Sequence, residues 1–214
     1  MFWGVFMFDL YQITPLEEWI ETRYKAIGIH SSADLDIDDI ALSFGIKIFY
    51  LPSAKEEAIW DDEDAAIFLN SNKSLEEIRE SFFHELSHPL LHSGDQLMLP
   101  SIFRELQETQ ARQFQLYAAL PYFMIKELKL PPHKNEAIGL LAQRFKVTPM
   151  LAKRRLEQIE ARINKVILDQ ELVLHLQSKY RKADPKKWTD ETKRILHQLN
   201  RQLISKGEKG IVIP

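Results

Sequence analysis

The stretch Ser74-Leu75-Glu76-Glu77-Ile78-Arg79-Glu80-Ser81-Phe82-Phe83-His84-Glu85-Leu86-Ser87-His88 reads as one helix with a metal-binding pattern near its end. Ser74 and Glu77 are spaced as a capping box, in which the two side chains satisfy free amides of the first helical turn. Leu75, Ile78, Phe82, Leu86 and Leu90 recur three or four residues apart, so one stripe is expected to face a core. His84, Glu85 and His88 lie beside that stripe. Positions i and i+4 share a helix face about one turn apart, so the two imidazoles can grip one ion. H-E-x-x-H on a helix is a Zn²⁺-binding pattern in which the glutamate takes a proton from the attacking water, the arrangement of a zinc metalloprotease. Pro89 has no amide to give the Glu85 carbonyl, so the helix is expected to kink or end just past His88.

The neighbouring segments are punctuated by equally local signals. Thr14-Pro15-Leu16-Glu17 predicts a helix start, running to about Ala26 and stopping near Gly28. Asp36, Asp38 and Asp39 favour a short helix over residues 37–44, ended by Gly45. The β-branched and aromatic run Ile46–Leu51 predicts a strand, as do Ala58–Trp60 and Ala65–Asn70. The acidic cluster Asp61–Asp64 could face a hard cation, but it lacks a periodic ligand spacing and reads as a solvated turn. Gly94, Asp95 and Pro100 indicate a loop over about 93–101. Helices are then predicted over about 102–117, 134–145, 150–168 or beyond, and 189–205. Thr148 stands as the cap before Pro149, and Asp184-Pro185 as a break.

A catalytic zinc needs three protein ligands and one open position. The chain has no cysteine, so histidine and carboxylate must supply all three. His92 lies at i+8 on the motif helix, but reaching the same ion would need a chain reversal that Pro89-Leu90-Leu91 does not favour. Its better reading is a residue at the helix end, or one that supports a ligand. The next helix carries Glu105 and Glu108 on one face. Glu108 is the preferred third ligand, because Ala111, one turn on, would let the two helices approach closely. Glu105 is the alternative.

Length and composition set the frame. At 214 residues, with 45% apolar and 28% charged residues, the chain is expected to fold as one or two globular domains with a sizeable core. The absence of cysteine suits a reducing, cytoplasmic setting. Met1 to Phe8 is apolar but short and lacks a basic start, so it reads as a packed terminal strand or helix around Phe2, Trp3, Phe6 and Phe8 rather than a signal peptide. No run of about 18 apolar residues exists, so no membrane helix is expected. Net charge is −3, unevenly spread: residues 150–214 carry 15 Lys+Arg against 8 Asp+Glu. Such a basic tail suits either DNA or, as the preferred reading, a solvated helical face paired with the acidic half.

The sequence resembles the ImmA/IrrE family of metallopeptidases. The family shows H-E-[LF]-[GAS]-H and then E-x-[EQ]-A-[ND]-x-F-A-x-x-L-L-M-P. Here these read His84-Glu85-Leu86-Ser87-His88 and Glu108-Thr-Gln-Ala-Arg-Gln-Phe-Gln-Leu-Tyr-Ala-Ala-Leu-Pro121, with Glu108, Gln110, Ala111, Phe114 and Pro121 in step. The likeness extends over about residues 14–160. Several positions depart from the pattern, among them Arg112, which stands for Asn or Asp, and Gln115, which stands for alanine. Arg112 would put a positive charge near the metal, either weakening zinc binding or orienting Glu108.

The resemblance implies an α+β fold, mostly helical, with a zincin-like metallopeptidase core and a small sheet. The expected organisation is a core over 1–130 and a helical region over 131–214, with a helix-turn-helix-like segment near 138–160. It implies Glu85 as the catalytic base and His84, His88 and Glu108 as zinc ligands. It also implies a protein substrate, a helix-turn-helix transcriptional repressor encoded by a phage or mobile element. Substrate is expected to add as a strand along Ala65–Asn70. Tyr117, Tyr122 and His92 are candidate donors to the oxyanion. A DNA-binding regulator and a catalytically inactive, antitoxin-like module on the same fold are the alternatives.

Overall fold

The structure is a computed structural model that describes residues 8–61, 63–92, 100–179 and 184–210. The expected packing of Phe2, Trp3 and Phe6, and the loop over 93–99, lie outside the described residues.

Helix α1, Pro15–Ala26, starts at a complete capping box: Thr14 Oγ1 accepts from the Glu17 amide while Glu17 bonds the Thr14 amide. Gly28, at φ +81°, takes the left-handed turn that ends this region. Helix α2, Ile37–Ser43, is capped by Asp36, whose carboxylate accepts from the amides of Asp38 and Asp39. Three strands come next in the chain: β1, Ile46–Leu51; β2, Glu57–Trp60; β3, Ala65–Asn70. Asp61 accepts from the amides of Glu63 and Asp64, as an aspartate that closes a turn does.

The sheet order is β1-β3-β2, with β3 parallel to β1 and antiparallel to β2. This corrects the expectation that Ala65–Asn70 offers an edge to substrate. β3 has neighbours on both sides, and Ile67 and Leu69 are fully buried. β2 forms the margin of the sheet instead, beside the motif helix.

Helix α3, Leu75–Leu91, opens on the Ser74/Glu77 capping box. Ile78, Phe82 and Leu86 are buried as the stripe requires, but Leu75 is 75% exposed and Phe83 is fully buried. The departure is geometric. Leu75 sits at the helix tip, while the middle of α3 packs both on the sheet and on α4, so its buried arc is wider than one stripe. The helix does not stop at His88. It continues to Leu91 past Pro89, and the His92 amide still bonds the His88 carbonyl at 3.0 Å. Proline removes one backbone bond here, and its fixed φ suits the helix.

Helix α4, Ser101–Ala119, leads through Pro121 to the short α5, Tyr122–Ile125. Beyond it lie helices α6, Lys134–Phe145, and α7, Pro149–Lys179, with Lys146 between them in a left-handed conformation. Gln115, which stands where the family has alanine, donates to the Glu80 carbonyl at 2.8 Å, and Glu80 accepts from the Thr148 amide. These bonds tie α3, α4 and the start of α7 together.

The described residues divide into two compact units, 1–166 and 167–214. In the first, Arg155 is fully buried. It donates to Glu17 at 2.6 Å, to the Leu120 carbonyl at 3.0 Å and to Gln158 at 2.6 Å. Arg162 adds a second bond to Glu17 at 2.8 Å. Two cations of residues 150–214 are therefore engaged by one acid of the acidic half, from buried and half-buried places rather than from a solvated face. In the second unit, Asp184 caps a 3₁₀ turn, Pro185–Lys187, and Thr189 caps α8, Asp190–Ser205. None of the described helices is long and apolar enough to cross a membrane.

Candidate metal centre

The centre is assembled by α3, α4 and β2. On α3, His84 and His88 are one turn apart, with ring centroids 5.3 Å from each other. Helix α4 packs along α3 and brings Glu108 to them. Nε2 of His84 lies 3.3 Å from one Glu108 oxygen, and Nε2 of His88 lies 3.8 Å from the other. Ala111, fully buried one turn on, leaves room for this approach. Glu105 lies on an exposed part of α4.

Donor separation tests whether the set fits zinc. Tetrahedral ligands about 2.0–2.2 Å from one ion stand roughly 3.3–3.6 Å apart. The His84–Glu108 pair matches this, and the His88–Glu108 pair is slightly wider. The donors also have the right chemistry, two imidazoles and a carboxylate. Burial pushes His88 down to about 4, with the neighbouring His84 and His92 acting the same way. Burial likewise lowers His84, against the raising effect of Glu108. Both rings are thus neutral at physiological pH, the form that binds metal.

Glu85 also lies near the imidazoles: one of its oxygens falls within 4.8 Å of a nitrogen of each. Proximity alone would therefore nominate it as a ligand. Its environment separates it from Glu108. The Ala58 amide of β2 donates to the Glu85 carboxylate. Burial pushes Glu85 up to about 7 against that hydrogen bond, and the negative charges of Glu108, Glu56 and Glu57 add to the rise. A carboxylate poised near neutrality is suited to accepting and returning a proton. Glu108, with each oxygen toward a different imidazole, is suited to holding a cation. Trp60, from β2, lies roughly parallel to the His88 ring at 6.1 Å and closes one side.

The other sequence candidates have different places. His92 caps the C-terminus of α3 and meets His88 at Nδ1, not at the nitrogen that faces Glu108. The two tyrosines hydrogen-bond outside the His84–His88–Glu108 cluster. The Tyr117 hydroxyl is bonded by Arg162, Gln113 and Gln158, and Tyr122 donates to the Phe8 carbonyl at 2.6 Å. Arg112 is exposed one turn beyond Glu108, and its charge lowers His84. Among the described residues it makes no ion pair with Glu108, so it does not orient that carboxylate. The Ala58–Glu85 contact has no sequence signal, because it joins a strand and a helix that meet only in the fold.

Residues 41–157 match the Peptidase M78 family model, described as the IrrE N-terminal-like domain. The chain is 35% identical over 150 residues to the phage-like element PBSX protein XkdA of Bacillus subtilis (strain 168), covering 70% of this chain and 75% of that protein. It is 31% identical over 150 residues to the uncharacterized protein YqaB of the same organism, covering 68% and 84%.

Proposed function

Because this chain belongs to the Peptidase M78 family of IrrE N-terminal-like domains, we propose that it is a zinc-dependent endopeptidase whose substrate is a helix-turn-helix transcriptional repressor. The observation that carries the reading is the convergence of His84, His88 and Glu108, with the half-buried Glu85 beside them. In this reading the first three hold the metal and Glu85 is the catalytic base. A bound Zn²⁺ supplies a Lewis acid and a water of lowered pKa.

The protein's own groups do the rest. Glu85 takes the proton of the attacking water and returns it to the leaving amine. The Ala58 amide holds the Glu85 carboxylate in place during both transfers. An extended substrate pairs along the outer margin of β2, the strand that flanks the site. In this reading residues 131–214 follow the core as a helical region, whose helix α7, with its Thr148 cap, bonds α1, α3 and α4. A phage-like element gives its name to one relative, which supports a repressor of the same genetic element as substrate and a cytoplasmic site of action.

The test combines metal analysis with cleavage. The purified full chain should take up one equivalent of Zn²⁺ and cut the repressor encoded beside it at a defined bond, with chelator abolishing the cut. A metal-loaded chain that leaves every neighbouring repressor intact removes the substrate reading. A chain that takes up no zinc removes the enzymatic one.

A further inference from the structure

Four side chains form a continuous line from the metal centre to the surface: Glu108, His88, His92 and Gln110. His88 presents Nε2 to Glu108 and Nδ1 to His92, whose own Nδ1 is 3.1 Å away. The Nε2 of His92 lies 3.2 Å from Oε1 of Gln110, on α4. His88 and His92 are buried, and Gln110 closes the line at the surface.

When Nε2 of His88 is kept for a metal, the bonds along this line run in one direction. A neutral imidazole that ligates through Nε2 carries its proton on Nδ1. His88 must then donate at Nδ1, so His92 accepts at Nδ1 and carries its own proton on Nε2. That proton needs an acceptor, and the Gln110 carbonyl oxygen stands there. Were the glutamine to present its NH₂ group instead, every bond would reverse. The proton on His88 would move to Nε2 and block the ligating lone pair.

We propose that His92 and Gln110 are positioning residues that fix His88 as its Nδ1–H tautomer and turn its Nε2 lone pair to the metal. The inference rests on the metal-site reading above and deepens it. Neither residue touches the ion. They act through His88, as partners of metal-bound histidines commonly do. The spacing explains why His92 comes four residues after its ligand: one helical turn sets ring beside ring, with centroids 5.2 Å apart.

The experiment uses the full chain, Zn²⁺ as the probe, and two readouts that do not require cleavage. Chelator competition gives the zinc affinity. Imidazole ¹⁵N chemical shifts of the metal-free protein, at a pH where the rings are neutral, give the His88 tautomer. Gln110→Leu, at an exposed position, should weaken zinc by about 10-fold or more and move His88 toward Nε2–H. Gln110→Glu keeps the acceptor and should restore the Nδ1–H tautomer. His92→Phe should resemble Gln110→Leu, and if it unfolds, Gln110→Leu alone decides. Wild-type affinity and unchanged His88 shifts in Gln110→Leu would overturn the proposal while leaving the metal site intact. A wild-type protein that binds no zinc would remove both.

Discussion

Nε2 of His84 and Oε2 of Glu108 stand 3.3 Å apart, on neighbouring helices that share no local sequence signal. The pairing predicts an order of effects. Glu108→Ala should lose zinc far more readily than Glu105→Ala, because only Glu108 meets the imidazoles. Zinc retained per chain after dialysis against a weak chelator measures this. Equal losses, or the reverse order, would move the third ligand.

Glu85→Gln should keep fold and zinc while cleavage falls by about 10²–10⁴, the usual contribution of a general acid–base group. The amide can still meet Ala58 but cannot take up the proton. Product formation by mass spectrometry, at matched metal content, checks it.

Arg112→Asn should bind zinc more tightly than wild type. The exposed guanidinium adds a positive charge to the surroundings of His84, and its removal favours a dication. Because the group is solvated, the gain should be small, about two- to five-fold, and should shrink as salt is raised. An affinity that falls instead would assign Arg112 a supporting role at the centre.

Glu17 should be a keystone of stability. Glu17→Gln leaves the fully buried Arg155 without its anion, at a cost of about 3–5 kcal/mol in urea unfolding. A pH dependence accompanies it. Burial alone would raise the Glu17 carboxyl, but Arg155 and the hydrogen bonds from Tyr11 and Thr14 outweigh it and hold it below its ordinary value of 4.5. A group depressed on folding stabilises above its unfolded pKa and loses that stabilisation as pH falls through the folded one. The wild-type urea midpoint should therefore drop below about pH 4.5, and that drop should shrink in Glu17→Gln.

Much of this molecule is readable where the physics is local. The Thr14/Glu17 and Ser74/Glu77 boxes announce two helix starts, Asp36 a third, and Thr189 the last. The i, i+4 spacing of His84 and His88 announces a shared face. Features decided by distant segments are harder. Ala65–Asn70 reads as an available edge in isolation, yet its unbroken apolar run belongs to a strand covered on both sides, whereas Glu57-Ala58-Ile59-Trp60 mixes polar and apolar residues as a margin does. Tyr117 and Tyr122 look available because no residue near them in sequence reveals that Arg162 and Phe8 occupy their hydroxyls. Arg155 stands on the apolar stripe of Leu151, Ala152 and Ile159, off which Arg154 lies, but the sequence does not name Glu17 as the partner of Arg155.

That arginine has a genetic consequence. A reading frame interrupted before codon 149 would lack α7 and with it the guanidinium that answers both the Glu17 carboxylate and the Leu120 carbonyl. The shortened product would lose both arginines that pair with Glu17 and the helix that covers it. Substitutions in residues 167–214 leave the Arg155 bonds to Glu17 and Leu120 intact, whereas changes in the segment just before them do not.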